Sequence, residues 1–176
     1  MKAGLPQATV VHHQTHLNQL ALNNESMSIY NKDNLCFMYP ENWTLSEQAA
    51  DPLEHSPREI SLVSPDGCMW VLYLFAADTQ PKAILEQMIQ GLDQQYEDFE
   101  YAEVELDEIA GHPTVGGDAD FYCLDFLVTA RIQVIPTPEQ VLCILSQAES
   151  RDFAKMNQVF LAITTSVLQK KLPTES

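Results

Sequence analysis

The stretch that decides the fold is Leu35-Cys36-Phe37-Met38-Tyr39-Pro40-Glu41-Asn42-Trp43. Its short apolar run, Leu35 to Met38, predicts a β-strand. A proline turn then ends the strand, and Trp43 follows as a large side chain suited to core packing. The preceding segment, Met27-Ser28-Ile29-Tyr30, predicts a partner strand, with a turn at Asn31-Lys32-Asp33-Asn34 between the two. The sequence therefore predicts that the folded domain begins with a β-hairpin.

Strand and turn signals continue after the hairpin. Ser46 to Pro57 is acidic and contains proline, which predicts a loop, and Glu59 to Val63 predicts a strand. Ser64-Pro65-Asp66-Gly67 has proline at the second and glycine at the fourth position of a β-turn. The nearly continuous apolar run Cys68 to Ala76 then predicts a strand in the centre of a sheet.

Two segments have helical spacing. Thr79 is the predicted cap of the first helix, and Pro81 fits its first turn, where the missing N–H costs nothing. Ser150 is the predicted cap of the second helix. The apolar stripe of that helix consists of Phe153, Met156, Phe160, Ile163 and Val167. Lys170-Lys171 suits the C-terminal end of a helix dipole, and Pro173 is predicted to end the helix.

The longest β-like run is Asp118 to Pro136. Its even positions, from Tyr122 to Val134, are apolar, so the alternation predicts one core face and one solvent face. Because nineteen residues exceed the usual length of a strand, we expect a bend or break near Asp125 to Thr129. Val141 to Gln147 is then predicted to return as an antiparallel strand.

The predicted order is strands, one helix, several strands and a second helix. This order predicts an α+β fold with a mainly antiparallel sheet flanked by two main helices, an α/β/α sandwich. We expect one domain over residues 26–170. Residues 1–25 form a polar segment that we expect to be mobile or ordered only on contact, and residues 171–176 a short tail.

Several short motifs resemble the PsbP-like fold superfamily. They are Phe37-Met38-Tyr39-Pro40 followed by Trp43, Ser64-Pro65-Asp66-Gly67, Ala110-Gly111-His112-Pro113, and Phe160-Leu161-Ala162-Ile163 with Ser166-Val167-Leu168. The superfamily includes a photosystem extrinsic protein, a Ran-release factor and the Eag-type chaperones of type VI secretion effectors. The resemblance covers residues 26–170 and implies an antiparallel sheet between helices. It also implies a binding protein, since members are mostly non-enzymatic.

Composition limits the classes of partner. Nine basic residues face twenty-five acidic residues, so the net charge is −16. Such a chain repels nucleic acid and anionic membrane surfaces, whereas it attracts basic partners or cations. A purely solubilising role for this charge is the alternative. No apolar run is long enough to span a membrane and the N-terminal residues lack a signal-peptide pattern, so we expect a cytoplasmic protein.

Four cysteines, Cys36, Cys68, Cys123 and Cys143, lie far apart without zinc-site spacing. In apolar strands they are expected to act as small hydrophobic residues. No cofactor is predicted.

The segment Phe99 to Ile109 is predicted to be an acidic strand. Glu103, Glu105 and Asp107 alternate with apolar residues, so they are predicted to share its solvent face. Charges there either discourage edge-to-edge pairing or form a docking face for a basic partner. Trp70 is a core residue or, if exposed on the open sheet face, an interface residue. These four residues are the predicted binding site.

An acidic cluster with a nearby histidine is the weaker candidate for chemistry. Asp118 and Asp120 lie at strand spacing on one side, and His112 is close in sequence, so the three could hold a cation or share acid–base work. The alternative is an acidic start of a strand after Gly116-Gly117. Residues His12, His13 and His16 could also bind a metal, or belong to a polar tail.

These observations favour a non-enzymatic cytosolic protein-binding module, either an adaptor or a chaperone. Its partner would be basic or would present an apolar helix, and no nucleic acid or membrane insertion is expected. One alternative is an Eag-like chaperone of a secretion effector, which needs an apolar groove. A second is a small metal-dependent enzyme that uses the Asp/His cluster, and a third is a component of a larger assembly held by residues 1–25.

Overall fold

The computed structural model describes residues 26–53, 55–106 and 108–169. Nine strands and two helices occur within them. In chain order they are β1 (Met27–Lys32), β2 (Leu35–Pro40), β3 (Thr44–Gln48), β4 (Arg58–Val63), β5 (Met69–Ala76), α1 (Pro81–Gln95), β6 (Glu97–Glu103), β7 (Val115–Cys123), β8 (Phe126–Pro136), β9 (Gln140–Glu149) and α2 (Ser150–Gln169). Predictions on residues 1–25, on Asp107 and on residues 170–176 lie outside the described residues.

Seven strands form one antiparallel sheet in the order β3-β4-β5-β9-β8-β7-β6. Alternate residues of its strands contribute to two separate cores. One core lies under α1, and the other lies under α2 together with the hairpin β1–β2. We call the two sides of the sheet the α1 face and the α2 face. The predicted α+β sandwich is therefore confirmed.

The hairpin predicted at the start of the domain is confirmed. β1 pairs with β2 from Met27 opposite Pro40 to Lys32 opposite Leu35. The turn is shorter than predicted, because only Asp33 and Asn34 lie in it, with φ angles of 51° and 62°. Two positive φ values suit the type I′ turn that matches strand twist, and Asp and Asn tolerate them.

The segment after the hairpin behaves as its sequence predicts. The backbone N–H of Trp43 donates to the carbonyl of Pro40 at 3.0 Å, which closes the proline turn. The Trp43 ring is buried and meets Phe160 of α2 edge to face. The turn therefore directs Trp43 into the core on the α2 face, where it helps to hold α2 against the sheet.

An ion-pair network connects the hairpin to the main sheet. Arg58 of β4 donates through Nη2 to Tyr30 Oη at 2.6 Å and to Glu47 Oε1 at 2.8 Å. Its Nη1 lies 3.3 Å from Asp33, and Lys32 Nζ lies 3.1 Å from Glu47 Oε2. Within the described ranges β1 and β2 pair with each other and not with the main sheet, so this network and the core contacts hold the hairpin in place.

We expect this network to make part of the stability depend on pH. Hydrogen bonding by Lys32, and then by Arg58, holds the pKa of Glu47 below its ordinary value. The network therefore stabilises the protein above the ordinary pKa of glutamate, and this contribution is lost as pH falls through the lowered folded value. Between about pH 6 and about pH 3, the urea midpoint of the native protein should fall more than that of Glu47→Gln. Parallel curves for the two proteins would contradict the prediction.

Three sequence predictions about element boundaries are wrong. The strand Thr44–Gln48 includes Ser46 to Gln48, the first three residues of the predicted loop, because it pairs with β4 along its whole length. The N-cap of α1 is Gln80 and not Thr79, whose N–H instead closes a turn on Ala76, although Pro81 does occupy the first turn. The acidic strand ends at Glu103 and does not reach Ile109.

The long run Asp118 to Pro136 is two strands joined by a tight turn. The expected break is present, but it lies at Leu124 and Asp125, where Leu124 has a φ of 57°. Cys123 pairs with Phe126 across this turn. The residues that face the core under α1 are therefore odd-numbered in β7 and even-numbered in β8. The predicted single alternation is therefore wrong for β7.

The other turns and the helix stripe are confirmed. Gly67 N–H donates to Ser64 carbonyl at 3.0 Å, so the predicted turn precedes β5. His112 pairs with Ile109 across Ala110 and Gly111, which both have positive φ. In the predicted stripe of α2, Met156 is half-buried and the other four side chains are buried.

Candidate protein-binding surface

The end of the β7–β8 hairpin exposes a group of large apolar side chains. Their exposed fractions are 49% for Tyr122, 89% for Leu124, 54% for Phe126 and 41% for Leu127. We call these four residues the hairpin tip. Exposed apolar residues are common singly, but four within six residues of one hairpin are typical of interaction sites.

The strand register explains why the tip is exposed. Pairing between β8 and β9 begins at Val128 opposite Glu149, and the chain turns into α2 at Ser150. Phe126 and Leu127 therefore extend past β9 and pair only with β7. Because Tyr122 lies opposite Leu127, those two side chains share the α2 face, whereas Phe126 lies on the other.

Acidic residues surround the hairpin tip. Glu97 of β6 lies opposite Tyr122, and Asp98 follows it with a φ of 53°. Asp125 is exposed within the turn itself. Acidic side chains next to an apolar group would attract a basic segment and slow approach by an acidic one.

A polar network anchors the base of this hairpin on the α2 face. Arg131 of β8 makes two hydrogen bonds to Asp118 of β7, through Nε to Oδ1 at 2.7 Å and Nη2 to Oδ2 at 2.8 Å. The guanidinium also lies over the Phe153 ring of α2 at 5.6 Å and donates to Asn157 at 3.3 Å. The hydrogen bonds from Arg131 to Asp118 raise the pKa of Arg131, so the guanidinium stays charged and ties both strands to the helix.

The next pair of residues along these strands, Asp120 and Thr129, extends this network towards the hairpin tip. Thr129 of β8 donates to Asp120 Oδ1 at 2.5 Å, and its hydroxyl lies 2.8 Å from that of Ser150 at the start of α2. Ser150, the predicted cap, is the first residue within α2, and its hydroxyl meets Thr129 of the sheet.

The structure does not bring His112, Asp118 and Asp120 into a metal-binding group. His112 lies in the turn before β7, and both aspartates are engaged by Arg131 and Thr129. Within the described part of the chain, no three His, Cys, Asp or Glu residues lie close enough to hold a metal ion. The two aspartates instead act as structural partners within the sheet.

The predicted binding residues lie in different environments. Glu103 is exposed at the end of β6, and Glu105 is exposed beyond it. Asp107 lies outside the described residues. Trp70 is fully buried, and its Nε1 donates to Thr164 Oγ1 of α2 at 3.0 Å. The proposed interface role of Trp70 is therefore wrong, because a partner could reach the ring only by opening the core.

All four cysteines are free thiols. Burial raises the pKa of Cys68, and it raises the pKa of Cys143 to about 12. Such thiols remain protonated near neutral pH and are poor nucleophiles. Cys68 and Cys143 pack as small apolar groups in the two cores, which is the role that their sequence context predicts.

Sequence reasoning missed the hairpin tip. It assigned Tyr122, Leu124 and Phe126 to a buried face because it treated the run as one alternating strand. The turn at Leu124-Asp125 lacks the glycine or asparagine that usually marks a two-residue hairpin. The available signal was length, since a run of nineteen residues requires a reversal or a bend.

Comparisons with known proteins support the fold. No protein-family model matches the chain, and no curated protein is similar to it in sequence. Among solved structures, the cyanobacterial PsbP (CyanoP) from Synechocystis sp. PCC 6803 is similar over 81% of this chain and 91% of that chain, with 10% identity and a TM-score of 0.52. A protein from Bacteroides thetaiotaomicron VPI-5482 is similar over 77% of this chain and 46% of that chain, with 11% identity and a TM-score of 0.50.

The protein of unknown function PA94 from Pseudomonas aeruginosa is also similar, over 85% of this chain and 99% of that chain, with 14% identity and a TM-score of 0.46. At such identities the similarity is one of fold alone. The fold is therefore PsbP-like, and the comparisons indicate no particular family within it. No helix in the described ranges is long and apolar enough to cross a membrane.

Proposed function

We propose that this protein is a non-enzymatic protein-binding module, an adaptor or chaperone, that contacts its partner through the hairpin tip. The observation that carries this proposal is the exposure of Tyr122, Leu124, Phe126 and Leu127 in and beside the turn that ends the β7–β8 hairpin. Aromatic and large aliphatic side chains contribute most of the binding energy at protein interfaces.

The charge of the molecule supports one class of partner. With a net charge of −16 and Glu97, Asp98 and Asp125 around the tip, the surface favours a segment with apolar side chains next to lysine or arginine. The apolar residues would cover the tip, and the basic residues would meet the acidic rim. Electrostatic attraction of this kind raises the association rate and the specificity.

The cysteines support a reducing compartment as the place of action. Four free thiols and no disulfide suit the cytosol, where thiols stay reduced.

We expect the double substitution Leu124→Ser and Phe126→Ser to weaken partner binding by at least about tenfold, because it removes the two most exposed apolar side chains of the tip. The partner is first identified by affinity capture at near-native expression, and its Kd for each purified variant is then measured. Folding should be unaffected, since both side chains are exposed, and urea denaturation checks this.

The matched control is Leu53→Ser, because Leu53 is 90% exposed but lies in the loop between β3 and β4. This control should bind the partner as tightly as the native protein. Equal binding by the double variant would overturn the assignment of the hairpin tip. Failure to identify any reproducible partner would overturn the proposed function itself.

A further inference from the structure

Strand β6 is one edge of the seven-stranded sheet. It pairs with β7 on one side, and no other strand of the described residues pairs with its outer side. An edge strand turns every second N–H and C=O away from the sheet, where they can pair with a strand from another chain.

The two faces of this edge differ in chemistry. Phe99 and Tyr101 are half-buried and pack with the core under α1, where Phe99 stacks near Phe121 with ring centroids 6.4 Å apart. The alternate residues Glu100 and Ala102 are exposed on the α2 face, opposite Asp120 and Asp118 respectively.

The acidic side of the edge lacks countercharge within the described chain. On the α2 face, Arg131 engages Asp118, but Glu97 and Glu100 form no ion pair with any described residue. Two copies of this edge would bring these glutamates together, and that repulsion opposes self-pairing. A basic strand would bring opposite charges into cross-strand contact instead.

We propose that β6 accepts a strand of a partner protein in which apolar and basic residues alternate. Its apolar side chains would lie beside Phe99 and Tyr101 and extend the core under α1, whereas its lysines or arginines would face Glu100 on the other side. Asp98, with a φ of 53°, interrupts the register of β6, so the added strand pairs with Phe99–Glu103. This inference rests on the proposed function, because it specifies how the partner segment binds.

The test uses three capped seven-residue peptides and the full-length protein. One peptide alternates lysine and valine, the second has the same composition with four lysines followed by three valines, and the third alternates glutamate and valine. We expect the alternating basic peptide to shift the amide resonances of Phe99–Glu103 and to slow their hydrogen exchange. The block peptide should bind at least about tenfold more weakly, and the acidic peptide should not bind.

The matched variants reverse the same number of charges at different places. Glu100→Lys with Glu103→Lys should weaken binding of the alternating peptide by at least about tenfold, since both residues lie in β6. Glu41→Lys with Asp66→Lys, two exposed turn residues away from β6, should retain most of the affinity.

The outcomes separate this inference from the proposed function. Equal binding of the two basic peptides, binding without slower exchange in β6, or no binding at all would overturn strand addition at β6. None of those results would affect the hairpin-tip test, which uses the natural partner and the Leu124 and Phe126 substitutions. Conversely, loss of the natural partner in the β6 variant but not in its control would support both.

Discussion

Replacing Trp70 by alanine is expected to lower the free energy of unfolding by about 3–5 kcal/mol. The side chain is fully buried in the centre of the core on the α2 face, with its ring 5.6 Å from that of Phe37. Its Nε1 also donates to Thr164 Oγ1 at 3.0 Å, so the substitution removes a buried hydrogen bond as well as creating a cavity. Three elements meet at this residue: the central strand β5, the helix α2 and the hairpin β1–β2.

Urea denaturation followed by circular dichroism measures this loss. Trp70→Phe should lower the free energy of unfolding less than Trp70→Ala does. Phenylalanine fills most of the volume of the indole ring, so the main loss is the hydrogen bond from the indole N–H. The matched control is Leu124→Ala, since Leu124 is 89% exposed, and it should change the free energy by no more than about 0.5 kcal/mol. If Trp70→Ala and Leu124→Ala had similar small effects, the assignment of Trp70 to the core would be wrong.

The parts of the fold that the sequence predicts are those with local signals. Asp33 and Asn34 tolerate positive φ, so the first hairpin can be located from a few residues. The Ser64-Pro65-Asp66-Gly67 turn is equally local, and so is the spacing of Phe153, Phe160 and Ile163 along α2. In each case the residues that determine the structure are adjacent in the sequence.

Local signals do not locate the hairpin tip, because its turn lacks the residues that usually mark a hairpin. Leu124 has a φ of 57°, a conformation that few residues other than glycine, asparagine and aspartate adopt. Tertiary pairing of β7 with β8 over nine residue pairs stabilises the turn despite that cost. The positions that face the core under α1 change from odd to even across this turn. The prediction of one continuous strand therefore placed Tyr122 on the buried face, although its side chain is exposed.

The edge position of β6 also follows from tertiary structure. Sequence reasoning identified the acidic residues of this strand and gave edge protection as one interpretation, but strand order depends on pairings between distant segments. β5 pairs with β9, more than sixty residues later, and this long-range pairing places β6 at the end of the sheet. Composition shows that β6 is acidic, but only the strand order shows that these charges lie at an edge of the sheet.

Replacing Gly116 by alanine is expected to destabilise the protein by on the order of 3 kcal/mol, because the added methyl would overlap backbone atoms. A Cβ at Gly116 would meet the carbonyl oxygen of Ile132 in β8 well inside van der Waals contact. Backbone cannot move aside as a flexible side chain can, so β7 and β8 would have to separate. Gly117 allows β6 to approach β7 in the same way, because a Cβ at Gly117 would overlap the carbonyl oxygen of Ala102 in β6.

The control for this prediction is the same substitution in an open position. A Cβ at Gly91 in α1 meets nothing within 4 Å, so Gly91→Ala should stabilise the helix by about 0.5–1 kcal/mol. Urea midpoints of the two variants should therefore move in opposite directions. If Gly116→Ala were neutral, the two strands would not approach each other as closely as their register requires. Among the described strands only β7 pairs with β6, so the placement of the proposed binding edge depends on that close approach.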